Sequence, residues 1–274
     1  MKVEVLVATM HQADHSLLER MNIQTDAIVG NQCDMNCVED FTHNGHNVKW
    51  LSFAERGVGL NRNNTLMRAR GDVCLFADDD MVYYDGYEQV VRNAFEENED
   101  ADVIVFNIDD EEQDRSKNTK KVRVKKYNFG RYGAVRISFR RESVFLNGIS
   151  FNLMFGGGAR FSAGEDTLFL KDCLRCGLKV IAVPYSLAKL TAGRESTWFK
   201  GYDDKYFIDR GILNYFIDKR KAKLLCLYHA LRHRKLYAEY GWRKAYKKMK
   251  EGIKQVKEKQ TKSRDRKSVV RERV

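Results

Sequence analysis

The chain has 274 residues, 43% of them hydrophobic and 32% charged, with 49 Lys and Arg against 38 Asp and Glu for a formal net charge of +11. That is enough apolar material for one sizeable core or two small ones, which excludes a chain disordered throughout. An apolar run such as residues 224–231 falls far short of the roughly 20 residues that cross a bilayer, and the first eight residues enter a strand pattern without a basic region or cleavage site. The expectation is a cytoplasmic protein, soluble or peripheral, whose six cysteines are free thiols. Residues 219–274 hold 21 Lys and Arg against 5 Asp and Glu, and residues 1–218 hold 28 against 33, so the basicity belongs to the tail.

Residues 3–9 predict a first strand, followed by a helix over 16–21 capped by Asp14. Residues 26–30 predict a second strand that runs into Asn31-Gln32-Cys33-Asp34. If the two strands are parallel, Thr9 and Asn31 present polar groups at the same end. His11 and His15 read as ordinary polar residues. Cys33, Cys37, His43 and His46 resemble a compressed zinc site, but the intervening segment is too short for the usual finger. Cys173 and Cys176 share a helical face with no second pair nearby. Buried small hydrophobes is the better reading for both pairs.

Residues 47–51 predict a weak third strand, and Gly57 and Gly59 permit a tight course into a helix over 60–70. Arg56 and Arg62 at its entrance suit an anionic ligand such as a pyrophosphate, or equally surface salt bridges. Gly71 closes the helix, and residues 73–77 predict a buried strand that ends in Asp78-Asp79-Asp80. Three adjacent acids repel one another, which a bound cation would offset; the alternative is a solvated acidic turn. A helix from Tyr87 carrying Val90, Val91, Ala94 and Phe95, then a strand over 102–107, completes an alternation that predicts a parallel sheet wrapped by helices.

Residues 109–121 read as an exposed loop, 122–127 as an antiparallel edge strand and 143–146 as a short helix. Gly156-Gly157-Gly158 make a mobile or closely packed loop, and Gly164-Glu165-Asp166 open a helix that runs to Gly177. Acids in a first turn complement the helix dipole; beside a sheet end that holds a metal, Asp166 is favoured as a general base. Residues 178–183 predict a strand ending at Pro184. The loop 191–201 carries Arg194, Trp198 and Lys200 and could close over a nucleotide diphosphate, with Trp198 equally well placed as a core anchor.

Three stretches together resemble glycosyltransferase family 2. They are Phe76-Ala77-Asp78-Asp79-Asp80-Met81; the preceding Gly59-Leu60-Asn61-Arg62-Asn63 with its Ala69-Arg70-Gly71-Asp72 break; and, about 85 residues on, Gly164-Glu165-Asp166-Thr167. The resemblance covers roughly residues 1–215. It implies an α/β protein of the GT-A fold, a Rossmann-like, mostly parallel sheet flanked by helices. Residues 1–218 would form the catalytic domain, with a nucleotide-sugar half over 1–108 and an acceptor half over 109–218. The implied activity is that of a hexosyltransferase, inverting transfer from a nucleotide-diphosphate sugar, expected to be a UDP-sugar, to a glycan or lipid-linked acceptor.

The resemblance also implies roles. Asp80 foremost, with Asp78, would hold Mn²⁺ or Mg²⁺. Asp79, Arg56, Arg62 and Arg194 would face the donor's diphosphate, and Thr9 and Asn31 its nucleoside. Asp166 would take the acceptor proton, with Glu165 orienting acceptor or base. The family's acidic motif commonly begins one residue earlier, where this chain has Ala77. The Gln-x-x-Arg-Trp element of processive synthases is missing, since Glu195-Ser196-Thr197-Trp198 lacks the arginine. A single transfer is therefore expected, in synthesis of capsule, O-antigen or another surface glycan at the inner leaflet.

In the tail, residues 219–274, Trp242, Tyr246, Met249, Ile253 and Val256 form one apolar helical stripe amid lysines and arginines. A basic amphipathic helix of this kind binds the anionic inner membrane surface, or packs its stripe on the catalytic domain. Disorder is expected from about residue 259. A protein that binds nucleic acid through the tail would leave both acidic motifs unexplained, so nucleic acid is not an expected partner. A catalytically inactive carbohydrate-binding relative is the remaining alternative.

Overall fold

The computed structural model describes residues 1–110, 117–191 and 201–271, with side chains as far as Thr261. The chain separates into two compact units, residues 1–160 with 165–196, and residues 161–164 with 197–274.

In chain order the first unit runs β1 (Val3–Met10), α1 (Leu17–Arg20), β2 (Asp26–Gln32), β3 (Cys37–His43), β4 (His46–Phe53), α2 (Val58–Leu66), β5 (Val73–Asp78) and β6 (Met81–Tyr83). There follow α3 (Tyr87–Glu96), β7 (Val103–Asp109), β8 (Val122–Arg123), β9 (Ile137–Arg140), α4 (Arg141–Leu146), α5 (Glu165–Arg175) and β10 (Val180–Leu190). The strands make one ten-stranded sheet in the order β3-β4-β2-β1-β5-β9-β7-β10-β6, with β8 also on β10. β4, β2, β1 and β5 are parallel neighbours, as are β7 and β10. The expected α/β class with a mostly parallel, helix-flanked sheet is what forms.

The parallel strands are continuous apolar runs because both of their faces are covered. One face buries Val5, Val7, Val29, Val73, Leu75 and Ala77 in a single core with α1 and α3. On the opposite side Phe76 meets Phe139 and Phe151 at 4.9 Å and Phe169 at 5.3 Å, and Phe151 stacks on Phe169 at 4.7 Å. Each such pair contributes about 0.5–1.5 kcal/mol beyond area burial. The cluster fastens α5, through Phe169, to β5, through Phe76.

Several local expectations are corrected. β3 forms a hairpin with β4 across Asn44-Gly45, whose φ values of 49° and 82° suit a tight turn of the mirror-image type. It places Cys37 opposite Ser52 and His43 opposite His46, and the six cysteines are free. β9 lies antiparallel between β5 and β7 and interrupts the parallel order there. β10 passes through Pro184 to Leu190 with its register shifting between Ala182 and Ala188, so the proline sits at an exposed irregularity and does not end the strand. α2 stops at Leu66, short of residue 70, and the edge strand β8 is only two residues long. Ser16 is the residue before α1, and Asp14 accepts from the Ser16 N–H at 2.9 Å.

The second unit consists of α6 (Asp204–Ile217), α7 (Ala222–Arg232) and α8 (Trp242–Arg271). Asp203 caps α6 by accepting from the Tyr206 N–H at 2.7 Å. α6 and α8 approach closely at two glycines: a Cβ on Gly211 would strike the Met249 backbone, and one on Gly252 the Ile208 backbone. Ala245, Met249, Ile253 and Val256 are buried along this line while Trp242 and Tyr246 stay partly exposed. The apolar stripe of the tail is therefore occupied by α6, which groups with α7 and α8 in the second unit. The α8 backbone continues helical past Lys259, where disorder was expected.

Candidate active site

Four chain segments meet where the parallel strands end. β1 carries Thr9, β2 carries Asn31, β5 delivers Asp78 and, just past it, Asp79 and Asp80, and α5 begins with Glu165 and Asp166. α2 is locked over the strand ends by Asn61, whose Nδ2 donates to the Gly30 carbonyl at 2.7 Å and the Thr9 carbonyl at 3.2 Å. Gly30 is glycine because Asn61 fills the space a Cβ would need.

One residue further along α2 is Arg62, 4% exposed. Its Nη2 donates to Asp78 Oδ1 at 2.7 Å and its Nη1 to Glu165 Oε1 at 2.8 Å, with its guanidinium 5.5 Å from the Phe151 ring centre. Burial works against that cation, but the two carboxylates more than compensate and raise its pKa. The Arg62 bridge thus ties the acidic strand end to the start of α5, across 103 residues of sequence between Arg62 and Glu165. Gly156 presses on the same point: with φ of 106°, it leaves no room for a Cβ beside the Glu165 carboxyl and Val58. The glycine loop is closely packed here.

Asp166, the next residue, is treated differently. Its Oδ1 accepts from the Thr167 N–H at 2.5 Å, and Gly133 lies against its other oxygen. Burial first, then the neighbouring Glu165 charge, push its pKa up to about 6, with the Thr167 N–H and Arg62 pulling the other way. Such a carboxyl is ionised at neutral pH yet basic enough to accept a proton.

At the strand ends Thr9 Oγ1 donates to Asp79 Oδ2 at 2.5 Å and accepts from Gln12 Nε2 at 2.9 Å. Asn31 exchanges two hydrogen bonds with the Gln12 backbone, at 3.0 and 3.1 Å. Gln12, just past the turn made by His11 with φ of 56°, connects the two residues. Asp80 is held through its carbonyl, which accepts from the Thr191 N–H at 2.8 Å and hydroxyl at 3.1 Å. Arg56 takes the surface salt-bridge reading: it donates to Asp34 at 2.6 Å and to the Cys33 carbonyl at 2.8 Å. Arg194 lies outside the described residues.

Among the described residues no three carboxylates, imidazoles or thiols form a ready metal cage. The donor set at Asp78 and Asp80 still fits Mg²⁺ or Mn²⁺, since Mg²⁺ in phosphate-binding sites takes one or two carboxylates and completes its shell with water and substrate oxygens.

The family model for glycosyl transferase family 2 matches residues 36–163. Among solved structures, Staphylococcus aureus TarS 1–349 in complex with UDP-GlcNAc superposes with a TM-score of 0.58 at 16% identity, covering 79% of this chain and 66% of that one. Complete S. aureus TarS gives 0.57 at 16% identity over 85% of this chain and 43% of its own, and TarS 1–349 gives 0.57 at 14% identity over 94% and 92%. This chain thus spans about two thirds of the UDP-GlcNAc-bound fragment and under half of complete TarS. No curated protein matches in sequence. Residues 36–163 thus match the model of glycosyltransferase family 2, and the fold is the GT-A fold.

Proposed function

We propose that the chain is an inverting glycosyltransferase that moves a hexosyl group from a UDP-sugar to a hydroxyl of a glycan or lipid-linked saccharide, with Asp166 as the base. The observation that carries this reading is the asymmetry of two adjacent acids. Glu165 is neutralised by Arg62, whereas Asp166 has a pKa raised to about 6 and no cation bonded to it among the described contacts. The UDP-GlcNAc complex of TarS, on the same fold, supports a uridine donor.

In the proposed reaction the acceptor oxygen attacks the anomeric carbon from the face opposite the diphosphate. Its proton passes to the Asp166 carboxylate as the bond to the diphosphate breaks and the electron pair leaves with the diphosphate oxygen. Asp80 and Asp78 would hold a divalent cation, which when bound would neutralise charge on the departing diphosphate. Arg62, expected against that diphosphate, has both terminal nitrogens on carboxylates, so its role in this reading is to position Asp78 and Glu165. Thr9, Gln12 and Asn31 would border the nucleoside.

The proposed setting is surface-polysaccharide synthesis at the inner membrane face. No described helix is long and apolar enough to cross a membrane. With the α8 stripe buried, contact with anionic lipid would fall to α7, where Leu224, Tyr228 and Leu231 are exposed on one face near Arg232, Arg234 and Lys235.

The test is transfer and hydrolysis with a panel of nucleotide sugars, with and without Mn²⁺ or Mg²⁺, for wild type, Asp80→Ala and Asp166→Asn. Metal-dependent release of one nucleoside diphosphate, lost in both variants, is expected. Absence of turnover and of nucleotide binding across the panel, with the fold intact, would sink the proposal.

A further inference from the structure

The first unit contains a cavity of about 220 Å³ that the proposed chemistry does not use, lined by Lys117, Arg131 and Arg136 with Ile108, Val135 and Leu190. Gly133 also lines it and forms a wall toward the base, since a Cβ at Gly133 would lie 3.7 Å from Asp166 Oδ2.

Its cations are built in. Arg131 and Arg136 both sit against the Tyr132 ring, at 4.9 and 5.1 Å from its centre. Arg136 donates through Nε to the Phe106 carbonyl at 2.8 Å and through Nη2 to Asn107 Oδ1 at 2.7 Å. Arg131 donates to the Tyr132 hydroxyl at 2.6 Å and to Asn118 Oδ1 at 3.3 Å. Asn118 closes the network by exchanging two backbone-to-side-chain bonds with Asn107, at 2.9 and 3.0 Å. Among the described residues, buried Asn118 Nδ2 has no acceptor. Lys117 adds a third cation, paired with Asp109 at 3.0 Å. Three basic side chains around one cavity suit an anionic group, and the planar guanidinium forks of Arg131 and Arg136 match a phosphoryl or a carboxylate.

We infer that this cavity is an acceptor subsite for an anionic group, a phosphoryl or a carboxylate, borne close to the hydroxyl that Asp166 deprotonates. This rests on the transferase reading. The volume is below the roughly 300 Å³ of a pocket for a complete drug-sized ligand, so it takes one charged substituent and leaves the rest of the acceptor outside. The donor's diphosphate belongs to the strand end bearing Asp78 and Asp80, on different residues.

The test uses wild type and the Lys117→Ala/Arg131→Ala double variant, matched first by circular dichroism and melting temperature. Both are titrated calorimetrically with inorganic phosphate, glycerol 3-phosphate, glucuronic acid and glucose, with and without saturating UDP. Wild type is expected to bind anions but not glucose, with affinity at least tenfold weaker in the variant and unchanged by UDP. Preference for the two phosphates identifies a phosphoryl-bearing acceptor, and preference for glucuronate a uronic acid. Equal anion affinity in both proteins, no anion binding, or displacement by UDP overturns the inference. Should the double variant melt early, Lys117→Gln, at an exposed position, carries the same comparison. UDP binding in the same titrations reports the donor site separately: UDP bound without anion sinks the subsite alone, and anion bound without UDP sinks the transferase reading, and with it the acceptor assignment.

Discussion

The Arg62 cluster of the first unit and the helix pair of the second bring distant segments together by opposite means. Arg62 is buried between Glu165 and the partly exposed Asp78, and the desolvation of Arg62 and Glu165 offsets much of what the attraction supplies. α6 and α8 approach through Gly211 and Gly252, with Met249 and Ile253 filling the flanks. Well-packed apolar groups in place of the Arg62 cluster would be as stable or more so, which marks it as an arrangement kept for geometry. The helix pair, by contrast, is arranged for cohesion.

The largest expected effect falls on chemistry alone. Asp166→Asn should lower transfer on the order of 10²–10⁴-fold, the usual range for a lost general base, while UDP affinity measured by calorimetry stays within about twofold of wild type. Arg62→Met should do the reverse of a neutral exchange: it strands Asp78 and Glu165 without their cation, and a loss of about 3–5 kcal/mol in denaturant unfolding is expected. A loss below about 1 kcal/mol would mean that the bridge is solvated and the contrast between the units is false.

On the other side of the comparison, Gly252→Ala should cost about 1–3 kcal/mol by driving α8 off the Ile208 carbonyl. The sign is informative, because the same change in an unconstrained helix would stabilise by nearly 1 kcal/mol. The smallest effect concerns pH. With Asp166 raised to about 6 in the folded state and near 3.9 unfolded, the fold holds the extra proton between those values. Stability should therefore fall as pH rises from about 4 to 6, by about 2 kcal/mol at most, and kcat/KM should rise over the upper part of that range to a plateau. Asp166→Asn should remove both slopes, which equilibrium unfolding at pH 4 and pH 7 would show.

The strand ends were readable because apolar runs that stop at polar residues have one physical meaning in a parallel sheet, and Asp78 to Asp80 follow from it, while Glu165 and Asp166 were readable as acids opening a helix. The Arg62 bridge was not readable. Two positions 103 residues apart carry no local pattern that pairs them, and an arginine at a helix entrance looks the same whether it meets a ligand or a carboxylate. β9 was hidden for another reason: its four residues, Ile-Ser-Phe-Arg, are too few to show a period. The Asn44-Gly45 turn, on the other hand, was a clear hairpin signal passed over in favour of the metal spacing around it. In the tail the stripe was read correctly as apolar, and its partner was set by glycines, whose meaning appears only once two helices touch.

The antiparallel β9 has a consequence for synthesis. It is the sole strand joining β5 to β7 in the sheet order, and its residues 137–140 leave the ribosome only after both of those strands have been made. Until then the nascent chain holds two sheet pieces, β3-β4-β2-β1-β5 and β7 alone, each with an open edge able to recruit another chain. A nascent chain of which about 130 residues have emerged from the ribosome would thus expose more pairing-competent backbone than one with about 80 or about 190 emerged, and chaperone demand during translation should peak between those points.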